Sequence, residues 1–502
     1  MYECFSQNTQ TQHTTGANIV EKGLTHKFKN LVNGLKSTDN LVAEKINDAL
    51  ANIFYDDKLN DIAKETNFVQ RSSSKIKGNE FVQAMVMASI DPESTPLSGI
   101  NDNLRGISSK AKMTISALRQ RINSPKAQEF LKQVYQRTVE MYLKPLSKNL
   151  NNTREKSKGA LEYFKKVLIH DSSSCALNEL LAKEFKGSGG SASKSQVKID
   201  LIYDLKANNA EEIIITDVRE PDQGLSKRIL KHVGEDVLTI QDLGFFDVDS
   251  FSLVDAMGGY YLSRLPGATL VYLNKEDKQP IELGKLLQKM TKNGKPLDME
   301  VYITQKKLKT RLIGYLVPDE VFNKRLREYH RKNKKKTPSA EWIARQRFTI
   351  LIANVPSEIW SWNIVGTVYK IRWQIELIFK TWKSQMDIHY LKGTKPERIW
   401  CLLYSRMIAA ALIFTMYNGI ANLICSIGCE LSLTKFVNWL KRNGRFVNIV
   451  LKGFVSDLWS QLINGLDLLC KDWQRKKKTT RQMIEESIPF FETFKKTVEV
   501  NA

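Results

Sequence analysis

The chain has 502 residues, of which 42% are hydrophobic and 26% are charged. This composition is typical of folded globular proteins and excludes wholesale disorder, a collagen-like repeat and a multi-span membrane protein. Because single hydrophobic cores rarely grow past about 300 residues, the length predicts more than one domain. The 76 Lys and Arg exceed the 54 Asp and Glu, which gives a formal net charge of +22. That surplus points to a polyanionic partner, nucleic acid first and an anionic membrane second.

The N-terminal part of the chain has the hydrophobic periodicity of helices. Apolar residues recur at three- and four-residue steps between Leu41 and Tyr142. Residues 1–35 are mostly polar and have no clear period. We therefore expect a helical N-terminal domain over residues 1–155.

Within this domain, residues 97–122 predict a helix, a short turn and a second helix that starts near Thr114. Two helices joined in this way are typical of helix-turn-helix DNA-binding domains, although many other helical hairpins share the pattern. Arg119 and Arg121 lie on the second helix and are candidate DNA contacts. The N-terminal domain is accordingly predicted to bind DNA.

From about residue 165 the pattern changes to strands. Val167 to His170 is a short apolar run that ends at Asp171. Residues 197–205 alternate between apolar and polar side chains, which predicts a half-buried strand. Further strands are predicted at residues 212–216, 237–240 and 259–264, with a helix over residues 224–232. Together these segments predict a mixed α/β sheet.

The next stretch combines strands with a basic helix. Strands are predicted at residues 269–272, 299–304, 310–317 and 348–353. Eight of the thirteen residues 324–336 are Lys or Arg. Such runs are usually solvated faces, but beside the large positive charge of the chain a nucleic-acid role is also open. From residue 359 onward the pattern is helical almost to the end.

One helix carries a constellation of polar side chains. Residues 366–386 contain no Pro and no internal Gly, and they predict a single helix. At about 100° per residue, Tyr369, Arg372, Glu376 and Lys383 share an arc of about 60°, opposite an apolar stripe. By periodicity alone, a solvent-exposed polar face with intrahelical ion pairs is the more ordinary interpretation.

Two further acids, Asp171 and Asp242, follow apolar strands, and Asp217 is an equal candidate by position alone. Ligands gather at strand ends in α/β sheets. Carboxylates brought together favour Mg²⁺ or Mn²⁺, which prefer hard oxygen ligands. Two such metals can activate water and stabilise the leaving oxygen in phosphodiester cleavage. This chemistry suits a basic protein that holds DNA.

The spacing Tyr369-x2-Arg372-x3-Glu376-x6-Lys383 resembles the Y-R-E-K signature of DDE transposases from bacterial insertion sequences. More narrowly, it is similar to the family numbered four among those elements, with its hairpin-forming relatives. Four residue types at fixed gaps make this a fairly specific motif.

Two other motifs support the resemblance. Asp242-Leu-Gly244-Phe245 is similar to the D-x-G-Y/F of that family, and Asp171-Ser-Ser is similar to its first aspartate followed by small or hydroxyl residues. The likeness covers roughly residues 40–450. It implies an RNase H-like catalytic core whose first aspartate lies on the first strand and whose second follows the fourth strand. It therefore favours Asp242 over Asp217.

The resemblance also implies roles for single residues. Asp171, Asp242 and Glu376 would be the metal-binding DDE triad, with Mg²⁺ or Mn²⁺ as the cofactor. The resemblance also implies that the other three residues of the signature, Tyr369, Arg372 and Lys383, hold phosphates of the transposon end.

In relatives, an aromatic residue of the insertion domain keeps a flipped base out of the stack, which relieves strain in a DNA hairpin. Phe348 is the nearest aromatic before the Y-R-E-K helix in a comparable strand. The family residue there is commonly Trp, and Phe348 is the candidate for this role although it departs from that pattern.

The predicted fold class is α/β, with an RNase H-like core interrupted by an insertion. We expect a helical N-terminal DNA-binding domain (1–155), the first part of the core (156–267), a mostly β insertion (268–354), the glutamate helix of the core (355–395) and a helical C-terminal region (396–502).

The resulting functional hypothesis is a DDE transposase that binds terminal inverted repeats and catalyses metal-dependent DNA cleavage and strand transfer. Its expected partners are double-stranded DNA, both transposon ends and target, and a second copy of the chain in a homodimeric synaptic complex. We expect no membrane partner and a bacterial cytoplasmic, nucleoid-associated location. The alternative is a catalytically inactive DNA-binding protein descended from a transposase.

The uncharged run at residues 407–429 is long enough to span a membrane. However, Asn418 and Asn422 lie near its middle, and amides in lipid would lack hydrogen-bond partners. The sequence therefore predicts a buried core helix here.

Overall fold

The structure, a computed structural model, describes residues 41–470 apart from short stretches. Those stretches are residues 56, 72–73, 91–95, 111–112, 139–158, 191, 208, 294–295, 335 and 426–429. Residues 156–380 fold into one compact unit, and residues before 156 combine with residues 381–474 in a second. The polar N-terminal segment 1–35 lies outside the described residues.

The described N-terminal residues are helical, as predicted. The helices are α1 (Leu41–Phe54), α2 (Lys58–Glu65), α3 (Gly78–Ala88), α4 (Leu97–Ile107), α5 (Ile115–Ile122) and α6 (Pro125–Arg137). Thr114 caps α5 by accepting a hydrogen bond from the Ala117 backbone at 3.1 Å. Ser124 caps α6 in the same way, and Pro125 occupies the first turn, where its missing N–H costs nothing. The predicted pair of helices joined by a turn is present as α4 and α5.

The first part of the α/β unit contains five strands and two short helices among its described residues. They are β1 (Lys166–Ala176), β2 (Gln196–Asp204), β3 (Asn209–Thr216), α7 (Asp222–Leu225), β4 (Val237–Gln241), α8 (Val248–Ala256) and β5 (Tyr260–Arg264). Strand β1 does not end at Asp171, as the sequence suggested, but continues to Ala176. The predicted helix over 224–232 is mostly a 3-10 helix at Ser226–His232, preceded by α7.

The inserted segment extends the sheet. It contains β6 (Val271–Tyr272), α9 (Leu283–Asn293), β7 (Leu297–Ile303), β8 (Leu308–Leu316), α10 (Asp319–Lys332), α11 (Ala340–Gln346) and β9 (Phe348–Ala353). The expectation of a mostly β insertion was wrong, because its three described helices contain more residues than its four strands. The basic run lies largely on α10, as predicted.

A single nine-stranded sheet runs through the unit in the order β3-β2-β1-β4-β5-β9-β8-β7-β6. Strands β1 and β2 and strands β2 and β3 pair antiparallel, whereas β4 runs parallel to β1 and to β5. This order of the first five strands fits the expected RNase H-like core. The insertion joins the core edge through the antiparallel pair β5–β9, where Leu262 faces Ala353.

Strand β2 was predicted to be half-buried, but its residues are buried on both faces except at the first position. Its polar residues Lys198, Asp200 and Asp204 are each less than 8% exposed. A buried charged side chain is tolerated only when it has partners, so the second face of β2 packs against polar groups.

Two helices replace the single helix predicted over residues 366–386. They are α12 (Trp362–Ile371) and α13 (Trp373–Ser384), with Arg372 between them. The Arg372 N–H bonds to the Tyr369 carbonyl three residues back, at 3.2 Å, so the chain tightens into a 3-10 turn at this point. The apolar stripe is nevertheless buried as predicted, with Ile375 fully inaccessible.

The described C-terminal residues are helical and pack with the N-terminal helices. They form α14 (Pro396–Cys425), α15 (Leu433–Lys441), α16 (Arg445–Lys452), α17 (Ser456–Asn464) and α18 (Leu466–Leu469). The Arg398 side chain on α14 donates to Asn123 Oδ1 at 2.9 Å, and Asn47 on α1 hydrogen-bonds the Phe454 backbone. The N-terminal and C-terminal helices therefore belong to one unit.

Helix α14 contains residues 407–425 of the uncharged run, whose last four residues lie outside the described chain, and it is long and apolar enough to cross a membrane. Of its most apolar window, 89% is buried inside the protein. Asn418 is fully buried, while the side chain of Asn422 lies outside the described residues. The prediction of a buried core helix is confirmed, and this helix is not a membrane span.

Candidate active site

The first two acids of the candidate triad come together where the parallel pairing of two strands ends. His170 of β1 faces Gln241 of β4 in the last pair of that ladder. Asp171, still on β1, and Asp242, which directly follows β4, are the next residues along the chain. Because neighbouring parallel strands lie about 4.8 Å apart, their pairing places the two aspartates side by side.

A buried polar network holds this end of the ladder in place. His170 is fully buried, and its Nε2 lies 2.9 Å from Asp200 Oδ1 on β2. The Gln241 amide lies 3.4 Å from His170 Nδ1, and the imidazole ring packs against Phe245 at 4.2 Å between centroids. Side chains alternate along a strand, so fixing His170 on one face also fixes the direction of Asp171 on the other.

Arg372 connects the third acid to the first two. Its guanidinium donates to Glu376 one turn further along, and Nη1 lies 3.4 Å from Asp171 Oδ2. Its Nε is 3.9 Å from Asp242 Oδ1. The Tyr369 hydroxyl donates to the same Asp242 oxygen at 3.1 Å. The tight turn at Arg372 thus gives one cation that contacts all three carboxylates.

Burial and charge shift the acid–base properties of this cluster. Burial raises the pKa of Asp171 to about 6, against the lowering effect of the Ser172 N–H and of Arg372; Asp242 and Glu376 raise it further. Burial also raises the pKa of Tyr369, and the Asp242 charge adds to that effect. Burial by itself would lower the pKa of Arg372, but Asp242, Tyr369 and Glu376 together raise it.

The donor set suits a divalent cation. As the side chains stand, no three His, Cys, Asp or Glu residues of the described chain are arranged to hold a metal ion by themselves. The three carboxylates instead surround the Arg372 guanidinium, which shows that they converge on one positive charge. Carboxylate oxygens are the ligands that Mg²⁺ and Mn²⁺ prefer, so Asp171, Asp242 and Glu376 fit such an ion chemically.

A fourth acid, Asp222 on α7, was missed by the sequence analysis. Its Oδ1 accepts hydrogen bonds from Ser172 at 2.8 Å and from the buried Lys198 at 2.9 Å. A Cβ on Gly244 would lie 3.1 Å from Asp222 Oδ2. Asp222 therefore contacts both aspartate-bearing segments, and the glycine of the D-x-G motif permits this close approach. No spacing rule in the sequence indicates this residue.

The alternative second acid lies elsewhere. Asp217 is exposed, forms a salt bridge with Arg219 at 2.7 Å and has a pKa lowered by the same arginine. The structure thus brings Asp242, and not Asp217, to Arg372. Lys383, the last residue of the signature, lies in the final turn of α13 and is partly buried.

The remaining predicted DNA contacts differ in exposure. Phe348 is only 2% exposed and packs in the apolar cluster of the sheet. Its ring therefore has no open face in this structure, and its base-stacking role stays a prediction. Arg119 is exposed on α5, whereas Arg121 is half-buried. Trp373, which follows Arg372, is 57% exposed, and it was not among the predicted contacts. Its exposure is visible only in the structure.

Comparisons with known proteins agree on a family. A family model described as "Transposase DDE domain" matches residues 162–412. The transposase for insertion sequence element IS1151 of Clostridium perfringens is 31% identical over 376 residues, which cover 72% of this chain and 77% of that protein. The transposase for IS231B of Bacillus thuringiensis subsp. berliner is 28% identical, with 85% of this chain and 91% of that protein covered.

Among solved structures, a cryo-EM structure of the piggyBac transposase synaptic complex with hairpin DNA is similar at a TM-score of 0.42 and 11% identity. The likeness covers 86% of this chain and 87% of that chain.

Proposed function

This chain belongs to the family of transposases with a DDE domain, and we propose that Asp171, Asp242 and Glu376 are the three acids of its active site. It is an insertion-sequence transposase, an enzyme of DNA cleavage and strand transfer. The observation that carries the residue assignment is the meeting of these three carboxylates at the Arg372 guanidinium. They come from two neighbouring strands and a helix that are far apart in sequence.

The triad would hold Mg²⁺ or Mn²⁺. Ions bound there would supply an activated water and stabilisation of the leaving oxygen during phosphodiester cleavage. The protein contributes a fixed arrangement of oxygens. Tyr369 orients Asp242 through its hydroxyl, and the His170–Asp200 pair fixes the strand that carries Asp171. Such pre-organisation lowers the barrier because little reorientation remains for the reaction itself.

The basic residues of the signature bind the DNA backbone. Arg372 presents a planar fork of N–H donors that can hold a phosphate bidentately, and Lys383 acts as a point charge. The Tyr369 hydroxyl, which donates its one hydrogen to Asp242 in this structure, would donate to a phosphate only after it releases that carboxylate. Trp373 offers an exposed aromatic face beside Arg372, on which an unpaired base can stack.

The substrate is double-stranded DNA, with the terminal inverted repeats as ends to be cut and a second duplex as target. A homodimer holds the two ends in the synaptic complex, and the protein acts at the bacterial nucleoid in the cytoplasm. The net charge of +22 supports a DNA partner, because polyanions attract basic proteins over long distances. A catalytically inactive DNA-binding descendant is the alternative. The contacts of three acids with the Arg372 guanidinium favour a protein that has kept its catalytic activity.

A nicking assay tests the proposal. A labelled duplex that carries the terminal repeat of the element should be nicked in Mg²⁺ and stay intact in EDTA. The substitutions Asp171→Ala, Asp242→Ala and Glu376→Ala should each abolish nicking while DNA binding persists, since each removes a metal ligand and also reduces negative charge near the DNA.

Asp217→Ala is the matched control, because Asp217 also follows a core strand but pairs with Arg219. It should cleave like the parent protein. Normal cleavage by Asp242→Ala together with loss of cleavage in Asp217→Ala would show that the second acid is wrongly assigned. Binding without nicking by the unaltered protein would favour the inactive alternative.

A further inference from the structure

A groove of about 760 Å³ lies among the N-terminal helices, away from the triad in sequence. One side is formed by described residues between α2 and α3, among them Phe68, Arg71 and Lys75, and the other by α5 with the first turn of α6. The side chains that give the groove its character are basic or polar: Arg71, Lys75, Arg121, Lys126, Gln70 and Gln120. The N-terminal DNA contacts predicted from the sequence did not include this connection.

The groove is strongly positive. Among the described residues that line it, four are Lys or Arg and none is Asp or Glu. Arg71, Lys75 and Lys126 are exposed, and within the described chain none of them forms an ion pair. By contrast, Lys132 on the outer part of α6 lies 3.6 Å from Glu129. The N-terminus of α6, where Ser124 and Lys126 line the groove, adds the positive end of a 13-residue helix dipole.

The groove has a rigid base. Arg121 donates from Nη1 to the Phe68 carbonyl at 3.3 Å and from Nη2 to Ser74 Oγ at 3.2 Å, and its guanidinium lies over the Phe68 ring. Phe68 in turn stacks on Phe130 at 4.8 Å between centroids. Arg121 therefore joins the two sides, which leaves the three exposed cations to meet a ligand.

We propose that this groove binds the sugar–phosphate backbone of duplex DNA. The inference rests on the proposed function, since the DNA is the end that the triad cuts. Three exposed cations, with no acidic side chain among the residues that line the groove, suit contact with phosphates, which are the groups that position a duplex. Contacts of this kind position the duplex and are independent of its sequence.

The test is the salt dependence of DNA binding by the full chain in EDTA, where cleavage cannot occur. The triple variant Arg71→Gln, Lys75→Gln, Lys126→Gln should bind a terminal-repeat duplex and a random duplex more weakly by the same factor. Each lost phosphate contact reduces the slope of log K against log salt by about 0.9, so the slope should fall by roughly 2 to 3. Lys132→Gln, on the same helix but paired with Glu129, should leave the slope unchanged.

A second variant, Gln120→Glu, places a carboxylate in the groove without removing a cation, and it should also weaken binding to both duplexes. Unchanged slopes in the triple variant, with parental affinity in Gln120→Glu, would overturn the proposal. Weaker binding of the terminal-repeat duplex alone, with the random duplex bound as by the parent protein, would also overturn the proposal. Failure of the proposed function looks different: the unaltered protein would bind DNA through this groove and never nick it.

Discussion

The positive charge of Arg372 compensates the negative charges of the three acids when no metal is bound. Three carboxylates at one place repel one another, and the raised pKa of Asp171 reflects its burial as well as its acidic neighbours. The guanidinium, only 13% exposed, supplies a compensating charge to all three. A metal ion would supply the same compensation, so the arginine and the ion act on the same oxygens.

Replacement of this cation should therefore make stability depend on metal. Arg372→Ala should lower the free energy of unfolding in EDTA by about 2 kcal/mol, because the partly buried carboxylates lose their partner. Millimolar Mg²⁺ should restore more stability to the variant than to the parent, since the ion binds the folded state without a competing arginine. Thermal unfolding in EDTA and in Mg²⁺ measures both effects.

Arg219→Ala is the control for this experiment, because Arg219 pairs with the exposed Asp217 and surface pairs contribute little. Its melting temperature should stay close to that of the parent under both conditions. An Arg372→Ala protein that is as stable as the parent in EDTA would contradict a charge-compensating role.

Gly244 permits α7 to lie close to the segment that carries the second aspartate. Asp222 is held by Ser172 and Lys198, so it cannot easily move away from a new Cβ 3.1 Å from its Oδ2. Gly244→Ala should then displace Asp242 by a few tenths of an ångström and slow nicking on the order of tenfold. In an Asp222→Ala background the same substitution should have little further effect.

A double-mutant cycle on nicking rates measures this coupling. If Gly244→Ala slows nicking equally with and without the Asp222 carboxylate, the contact is not the cause.

The sequence predicted part of this site for a clear reason. The signature residues of α12 and α13 have fixed spacing, so a resemblance could identify them, and Asp242 precedes a recognisable glycine. Asp222 and Lys198 have no such spacing, because they meet the site only through the folding of α7 onto β1 and β2. Contacts between distant segments are invisible to periodicity.

At the scale of single elements, β2 shows where hydrophobic patterning fails. Its alternation of apolar and polar residues predicts one solvated face, yet both faces are buried. The polar face is covered by partners: Asp200 bonds His170 and lies 3.7 Å from Arg228, and Lys198 bonds Asp222. A sequence pattern shows which residues are polar. It does not show that these residues form hydrogen bonds and ion pairs with one another in the folded protein.

Loss of one member of this network should be costly. Asp200→Ala leaves the buried His170 Nε2 without its partner and removes a carboxylate 3.7 Å from Arg228, so the free energy of unfolding should fall by about 3 kcal/mol. Urea unfolding followed by circular dichroism measures the change. Glu300→Ala, which removes an exposed cross-strand pair with Lys309, should unfold near the parental midpoint. Equal midpoints for the two variants would contradict a structural role for Asp200.

The break between α12 and α13 is a second difference at this scale. Residues 367–386 lack the Pro and Gly that usually interrupt helices, so local propensity predicts one helix. The chain nevertheless tightens at Arg372, whose side chain reaches acids on β1 and after β4. Tertiary contacts therefore override a continuous helical pattern at the residue that joins the cluster.

At the scale of the α/β unit, the insertion and the core share one sheet, which the strand pattern could not establish. The strands were predicted at about the right positions, but their sequence pattern does not indicate which strands pair, such as β9 with β5. The buried Arg311 of β8 forms a salt bridge with Asp298 and donates to the Val355 and Trp360 carbonyls. The Trp360 indole donates to the Ala160 carbonyl at 2.8 Å. These contacts fix the insertion to the segment that leads into the signature helices.

At the scale of the whole molecule, the question is whether the apolar helix α14 inserts into a membrane or stays in the helical core. Arg406 is 2% exposed and Asn418 is fully buried, and the Arg406 Nη1 donates to the Ile388 carbonyl at 3.4 Å. In lipid these groups would lose such partners at a cost of several kcal/mol. We therefore expect the expressed protein in the supernatant after a carbonate wash of fractionated cells, together with a peripheral marker protein. Recovery in the washed pellet, in a form that only detergent releases, would mean that α14 leaves the helical core and inserts into the bilayer.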